Sequence, residues 1–257
     1  MKNSVLFILV LLATCACKKT VREEKWVSLF NGKDMDGWTV KICGYPVGEN
    51  YGNTFYVKDS ILKTQYTAYG DTFNGRFGHL YTNQEYSHYK LRLEYRFSGS
   101  HAPGAPGWSY LNSGVMLHAQ SPESMLLNQD FPISIEAQFL GSDEKVTNTT
   151  GNVCTPGTDI YLNGMPYTSH CASSTSPNYP YNEWVKAEII VLKDSIVHHI
   201  INGDTVMTYT KMTVSAGNMN SDIPVGQLKS GRIALQSEGH PVEFRNMEIL
   251  DLSNKYP

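Results

Sequence analysis

Past residue 26, apolar side chains alternate with polar ones in short runs bounded by turn residues, and no stretch repeats them at helical spacing for several turns. The pattern predicts an all-β chain, with strands over 54–57, 60–65, 89–97, 113–119, 133–140, 184–193, 195–202, 205–211, 232–237 and 242–251. Asn202-Gly203 lies between two apolar runs and favours a type I′ hairpin, in which both turn positions need positive φ. So many strands, with no repeat or internal linker, fit a two-sheet jelly-roll sandwich better than a small barrel. Residues 26–257 therefore read as one domain.

Successive strand residues point to opposite sides of a sheet, so the alternation also assigns faces. Leu91, Leu93, Tyr95 and Phe97 make a core face, with Arg92, Glu94 and Arg96 opposite. Val115 and Leu117 point to the core while Met116 and His118 look away. Ile133, Ile135, Ala137 and Phe139 leave Ser134, Glu136 and Gln138 on the other side, and Ile233 and Leu235 leave Gln236 and Glu238. Four strands thus carry polar, titratable groups away from the inter-sheet core. A solvated sheet surface is polar in the same way, but Lys and Thr usually dominate one, whereas Glu, Gln, His and Arg recur here. On a concave sheet these groups would converge in a groove.

Composition narrows the partners. With 41% hydrophobic residues the chain can bury a core, and 21 Lys+Arg against 24 Asp+Glu leave a net charge of −3 with no basic block to follow a phosphate backbone. Nucleic acid is excluded as an expected partner. Residues 1–16 place Lys2 before an apolar run from Val5 to Ala13, too short for a stable membrane span, which reads as an export signal. The run Leu12-Ala-Thr-Cys15-Ala-Cys17-Lys-Lys resembles a bacterial lipoprotein signal, with Cys17 the expected lipidation site and Cys15 the alternative. The expectation is an exported protein, periplasmic or anchored to the outer membrane, with residues 17–25 as a tether and the lipid as its sole membrane contact.

Export places the chain where disulfides persist, and Cys43, Cys154 and Cys171 remain. One of the three must stay unpaired. Cys154 and Cys171 flank a loop rich in Gly, Pro, Asn and Thr, so they are the expected pair. A zinc site is the competing reading, without CxxC or HExxH spacing to support it.

Three blocks carry a resemblance. The opening Trp26-Val-Ser-Leu-Phe-Asn-Gly-Lys-Asp-Met-Asp-Gly-Trp38, the centre Asn112-Ser-Gly-Val-Met-Leu-His118 with Ile135-Glu-Ala-Gln138, and the ending Gly231-Arg-Ile-Ala-Leu-Gln-Ser-Glu-Gly-His-Pro-Val-Glu-Phe-Arg-Asn-Met-Glu-Ile249 are similar to the 3-keto-disaccharide hydrolase family. The likeness implies a fold like that of concanavalin A and the laminarinases. It also implies cleavage of glycosides already oxidised to a ketone at carbon 3. Such a ketone acidifies the C2 proton, so one base can remove it and expel the C1 substituent, with water adding afterwards. A conventional glycosidase needs two carboxyl groups, ~5–5.5 Å apart for retention or ~6.5–9.5 Å for inversion. The central strand here offers Glu136 and the amide Gln138, and so lacks a second carboxylate.

Glu136 matches the glutamate of the family's E-x-Q strand, which implies a general base or a ligand of a divalent metal ion polarising the keto group. Glu238 matches a position where the family carries His or Glu, and with His118 completes the catalytic or metal-binding candidates. Gln138 shares the Glu136 face and would bind a sugar hydroxyl, as would Gln236. Glu94 and Arg96 would brace the carboxylates, or else form a structural ion pair. Arg245 matches the family's Phe-Arg-Asn ending. Trp108 and His79 would line the rim, Trp108 by stacking on a sugar ring. Trp26 and Trp38 read as core. A glycan-binding module that does no chemistry, and a conventional glycosidase, are the competing functions.

Overall fold

The computed structural model describes residues 25–220 and 222–256, so Cys15, Cys17 and the expected export segment lie outside the described residues. Two antiparallel sheets face each other. The seven-stranded sheet runs, edge to edge, Cys171–Ala172, Asn152–Cys154, Ile135–Leu140, Asn112–Ala119, Arg232–Ser237, Gly78–Thr82 and Trp38–Ile42. The eleven-stranded sheet places His88–Phe97 at its centre, between Val185–Leu192 and Val242–Asp251. This is the expected two-sheet sandwich.

The core lies where the predicted apolar faces meet. Leu91, Leu93, Tyr95 and Phe97 from one sheet pack against Val115, Leu117, Ile135, Ala137, Phe139, Ile233 and Leu235 from the other. Tyr95 and Phe139 stack across the interior with centroids 4.1 Å apart, and the buried Tyr95 hydroxyl is satisfied by Thr150 Oγ1 at 2.6 Å. The hairpin at Asn202-Gly203 forms as predicted, with φ of 50° and 97°. Trp38 enters the core, while Trp26 is only half-buried and lies under the Arg92 guanidinium, 4.0 Å from its ring centroid.

Several short strands escape the periodicity reading. Gly78–Thr82 is buried at all five positions, so no polar alternation marks it. Asn152–Cys154 and Cys171–Ala172 are too short to show a period. Their partnership is set by a covalent bond instead: Cys154 and Cys171 stand directly opposite in the ladder and are bridged, with Cα atoms 4.1 Å apart, and Cys43 is free.

The bridge spans 17 residues of sequence, so it removes unfolded-chain entropy worth about 3 kcal/mol in the chain-entropy model. Replacing Cys154 and Cys171 by Ala should lower the urea unfolding free energy by that order, and an unchanged unfolding midpoint would show that the link contributes nothing.

Candidate active site

Register places two rows of side chains on the outer face of the seven-stranded sheet. One row reads Cys171, Cys154, Glu136, Met116, Ala234, Tyr81 across six strands. The next reads Asn152, Gln138, Gly114, Gln236, His79, Lys41, with Gly114 opposite Gln236 one step along from the Val115↔Leu235 pair. Glu238 follows two residues after Gln236 on the same side. The segment from Pro122 to Phe131 covers the far half of this face. Met125 Sδ accepts a hydrogen bond from Tyr81, and Lys41 Nζ donates to the Leu127 carbonyl at 2.9 Å. What stays open is a cleft of about 410 Å³ lined by Trp108, Asn112, Phe131, Glu136, Gln138, Glu238 and, along one wall, Pro156, His170 and the disulfide.

Glycine decides where the Glu136 carboxyl sits. A Cβ at Gly114 would lie 2.5 Å from Glu136 Oε1 and 3.0 Å from the Ala137 carbonyl, so only glycine lets the carboxyl lean across the neighbouring strand toward Gln236 and Glu238. Glu136 and Glu238 are both buried, at 6% and 3% exposure, and among the described residues neither is ion-paired. Each keeps one carboxyl oxygen without a hydrogen-bond partner, as do Asn112 Oδ1, His79 Nε2 and both side-chain atoms of Gln236. A native interior rarely leaves buried polar atoms unpaired, and a cluster of them marks a place where a ligand or ordered water completes the bonding. Burial pushes both carboxyls well above the usual carboxylate range, and the Glu136 charge raises Glu238 further. Glu136 is pushed up to about 8 and Glu238 is raised by the Glu136 charge as well as by burial, so as pH rises Glu136 gives up its proton first and Glu238 keeps its own.

The other expected residues divide. Gln138 lines the cleft and accepts a hydrogen bond from Asn152 Nδ2 at 3.2 Å. Trp108, 56% exposed, stands at the mouth and stacks on Phe77 with centroids 5.6 Å apart. His79 lies on the same face but under the covering segment, and burial, then the Lys41 charge, press its imidazole down to about 3.

His118 does not join them. A bulge shifts the register between Arg232↔Ala119 and Ala234↔Met116, and His118 takes the left-handed φ of 49°, which turns its ring off the outer face. Its Nε2 donates to the Lys193 carbonyl at 3.1 Å, its ring packs edge-on to the core residue Tyr89, and burial holds its pKa down to about 4. The expected metal set loses this ligand. Among the described residues no three His, Cys, Asp or Glu side chains gather where they could hold an ion.

Glu94, Arg96 and Arg245 are also displaced, because their strands lie in the eleven-stranded sheet and their side chains face outward on the opposite side of the molecule. There Arg245 binds Glu94 at 2.7 Å and Arg96 binds Glu243 at 2.6 Å, and both guanidinium groups lie against Trp184. Of the four strands expected to supply the polar face, three do, joined by Asn152–Cys154, Gly78–Thr82 and Trp38–Ile42. A larger hollow of about 560 Å³ on this outer side runs past Arg92, Glu94 and Glu248, but the charges of all three are already ion-paired. The structure adds residues that periodicity missed: Asn112, Gly114, Lys41, Phe131 and His170. Of these, Gly114 carried a readable signal, since glycine inside a strand marks a close approach.

The comparisons with known proteins bear on the family and the fold. Residues 25–250 match the family model described as the 3-keto-alpha-glucoside-1,2-lyase-like domain. The chain belongs to that family. It is 24% identical over 248 residues to a 3-keto-disaccharide hydrolase of Bacteroides thetaiotaomicron, covering 89% of this chain and 79% of that protein. Two crystal structures from Parabacteroides distasonis ATCC 8503, both with provisional glycosyl hydrolase names, share the fold. One has a TM-score of 0.54 at 18% identity, with 89% of this chain and 94% of that one covered, and the other 0.51 at 21%, with 89% and 100% covered. The family match, over residues 25–250, takes in both sheets of the sandwich.

Gly114→Ala should force the Glu136 carboxyl aside and cost about 1–3 kcal/mol in urea unfolding, as overpacking does; wild-type stability would place the carboxyl elsewhere. A second test follows from the raised carboxyls. In the unfolded chain each ionises near 4.5, so the folded state binds more protons above that pH, and stability is lost as pH rises through the folded values. Glu238→Gln removes one such group, so its stability relative to wild type should climb above pH 4.5, by up to about 1.4 kcal/mol per pH unit. A difference that is flat in pH would mean that Glu238 ionises normally.

Proposed function

We propose that the chain is an enzyme that cleaves 3-keto-glycosides in the Glu136 cleft by elimination followed by hydration. The observation that carries this is the pair of buried carboxyls facing the cleft without a cation, of which Glu136 gives up its proton first as pH rises. The Glu136 carboxylate takes the C2 hydrogen as a proton, and the C2–H electron pair moves into an enolate with negative charge on O3. That pair then forms the C1=C2 bond as the C1–O bond breaks, and the leaving oxygen takes its proton from the Glu238 carboxyl. Water adds across C1=C2, so the net products are a free 3-keto sugar and an alcohol. Burial of both carboxyls, at 6% and 3% exposure, lowers the dielectric around them and strengthens their interaction with the reacting atoms. Trp108 offers its exposed face to the sugar or to the leaving group.

An exposed aromatic would also suit a glycan-binding module, but a binding module has no use for two destabilised acids. The conventional glycosidase gains an observation in its favour: Glu238 supplies from a neighbouring strand the second carboxyl that the central strand lacks. Substrate choice separates it from elimination, which depends on an acidified C2 proton.

Purified protein incubated with a 3-keto glucoside and with its unoxidised parent should cleave only the former. Comparable turnover of the parent would revive the two-carboxylate displacement. Glu136→Gln should lower kcat on the keto substrate by 10²- to 10⁴-fold without lowering the thermal midpoint. A loss below tenfold in a folded variant would exclude Glu136 as the base. Activity should need one proton on the pair, so kcat/KM should fall at both pH extremes.

A further inference from the structure

The cleft has two chemically different ends, and strand order fixes which lies where. Across the sheet, Cys171–Ala172 and Asn152–Cys154 are followed by Ile135–Leu140, Asn112–Ala119, Arg232–Ser237 and Gly78–Thr82. The disulfide ties the first two of these strands and borders Glu136 and Gln138 on the third. Glu238 directly follows the fifth, and Phe131 belongs to that end of the cleft. Its ring lies 5.0 Å from that of Phe77, the residue before the sixth strand, and edge-on to His79 within it at 5.9 Å. Trp108 belongs to the same end. Gly239 accepts the Ala102 N–H at 2.7 Å, and a Cβ on Gly239 would lie 2.7 Å from Ala105 Cβ and 3.3 Å from Ser109 Oγ, so the segment that carries Trp108 packs against the residue next to Glu238. Glu136 therefore stands toward the disulfide and Glu238 toward the two aromatic rings.

Trp108 is held from behind. Its ring stacks on Phe77 at an interplanar angle of 19°, Phe77 meets Phe73 at 5.0 Å, and Phe73 stacks on Tyr69 at 5.7 Å. Arg76 closes the row, with its guanidinium 4.4 Å from the Tyr69 centroid and donating to the Phe73 and Tyr69 carbonyls at 3.0 Å. The other face of Trp108 is open, and Phe131 stands 6.4 Å from it, tilted by 53°, so the two rings form a corner. A flat aromatic group can lie offset on one ring and meet the other edge to face. A second sugar is served less well. These two side chains carry a single polar atom, the indole N–H, so hydroxyls turned into the corner would give up water without gaining partners.

We propose that Trp108 and Phe131 form a leaving-group subsite for an aromatic aglycone, which makes 3-keto-glycosides of phenols, rather than of a second sugar, the preferred substrates. The proposal rests on the reaction given above, in which Glu238 protonates the leaving oxygen. The sugar ring then lies over Glu136 and Gln138, the C1–O bond breaks toward the aromatic corner, and the phenol departs with the proton from Glu238.

The test compares wild type with Trp108→Ala, and with Trp108→Tyr, which keeps an aromatic face; Trp108→Leu serves if Ala does not fold. Isothermal titration calorimetry with unoxidised phenyl glucoside, methyl glucoside and a glucosyl-glucose disaccharide of the same anomeric form reads the subsite without turnover. Wild type should bind phenyl glucoside about tenfold more tightly than either of the others, Trp108→Ala should abolish most of that preference, and Trp108→Tyr should keep it. A disaccharide bound as tightly as phenyl glucoside, a preference that survives Trp108→Ala, or no binding of phenyl glucoside would overturn the subsite. On the corresponding 3-keto glucosides, Trp108→Ala should lower kcat/KM about tenfold more for the phenyl than for the methyl substrate, a comparison in which the intrinsic reactivity of each leaving group cancels. Equal losses would also overturn it. Wild-type protein that leaves every 3-keto glucoside intact would instead overturn the functional reading, and the calorimetry would still decide the subsite.

Discussion

Two acids buried side by side with no cation are expensive to fold around, and most local features of the outer face of the seven-stranded sheet serve to hold that arrangement. Removing an ionised carboxylate from water costs several kcal/mol unless it is paired or neutralised. Here burial raises both Glu136 and Glu238, so they stay protonated until Glu136 alone loses its proton and a single charge is left to accommodate. Gly114 provides the space, the Cys154–Cys171 bridge and Phe131 line the cleft, and the segment anchored by Met125 and Leu127 closes one end. Such a site resembles those in which enzymes use burial to pull two like groups apart in pKa and give them opposite tasks.

The opposite side of the sandwich solves the same electrostatic problem differently. Glu94 and Glu243 are partly buried there, which disfavours their charge, but hydrogen bonds from Arg245 and Asn246 to the one, and from Lys63 and Arg96 to the other, hold both below the usual carboxylate value. Those acids are locked into ion pairs and have no proton to exchange. The contrast explains why the outer hollow beside Glu94, although larger, is a weaker candidate for catalysis than the cleft beside Glu136.

Much of the fold was legible because alternation in the long strands reports which face is buried. The core partners Leu91, Tyr95, Val115, Ile135, Phe139 and Leu235 were all assigned from period alone, as was the outward set Glu136, Gln138, Gln236 and Glu238. Alternation does not reveal which sheet a strand joins, so Glu94, Arg96 and Arg245 were grouped with groups on the far side of the molecule. Nor does it anticipate a bulge: one residue out of register sends His118 from the cleft to the core side, and nothing in Val-Met-Leu-His marks the slip. The central strand lacks a second carboxylate, as its sequence says, and the fold supplies one from another strand by bringing Glu238 to the same cleft.

A protonated Glu238 beside an ionised Glu136 is the claim on which the base and the acid both depend. Infrared difference spectroscopy between wild type and Glu238→Gln at pH 9, above the value of about 8 to which burial pushes Glu136, tests it directly, because a neutral carboxylic acid and a carboxylate absorb at separate frequencies. The account predicts one neutral carboxylic acid in wild type, absent from the variant, where Glu136 alone remains and is ionised beside two amides. A spectrum in which wild type shows no neutral acid, with both carboxyls charged, would contradict it.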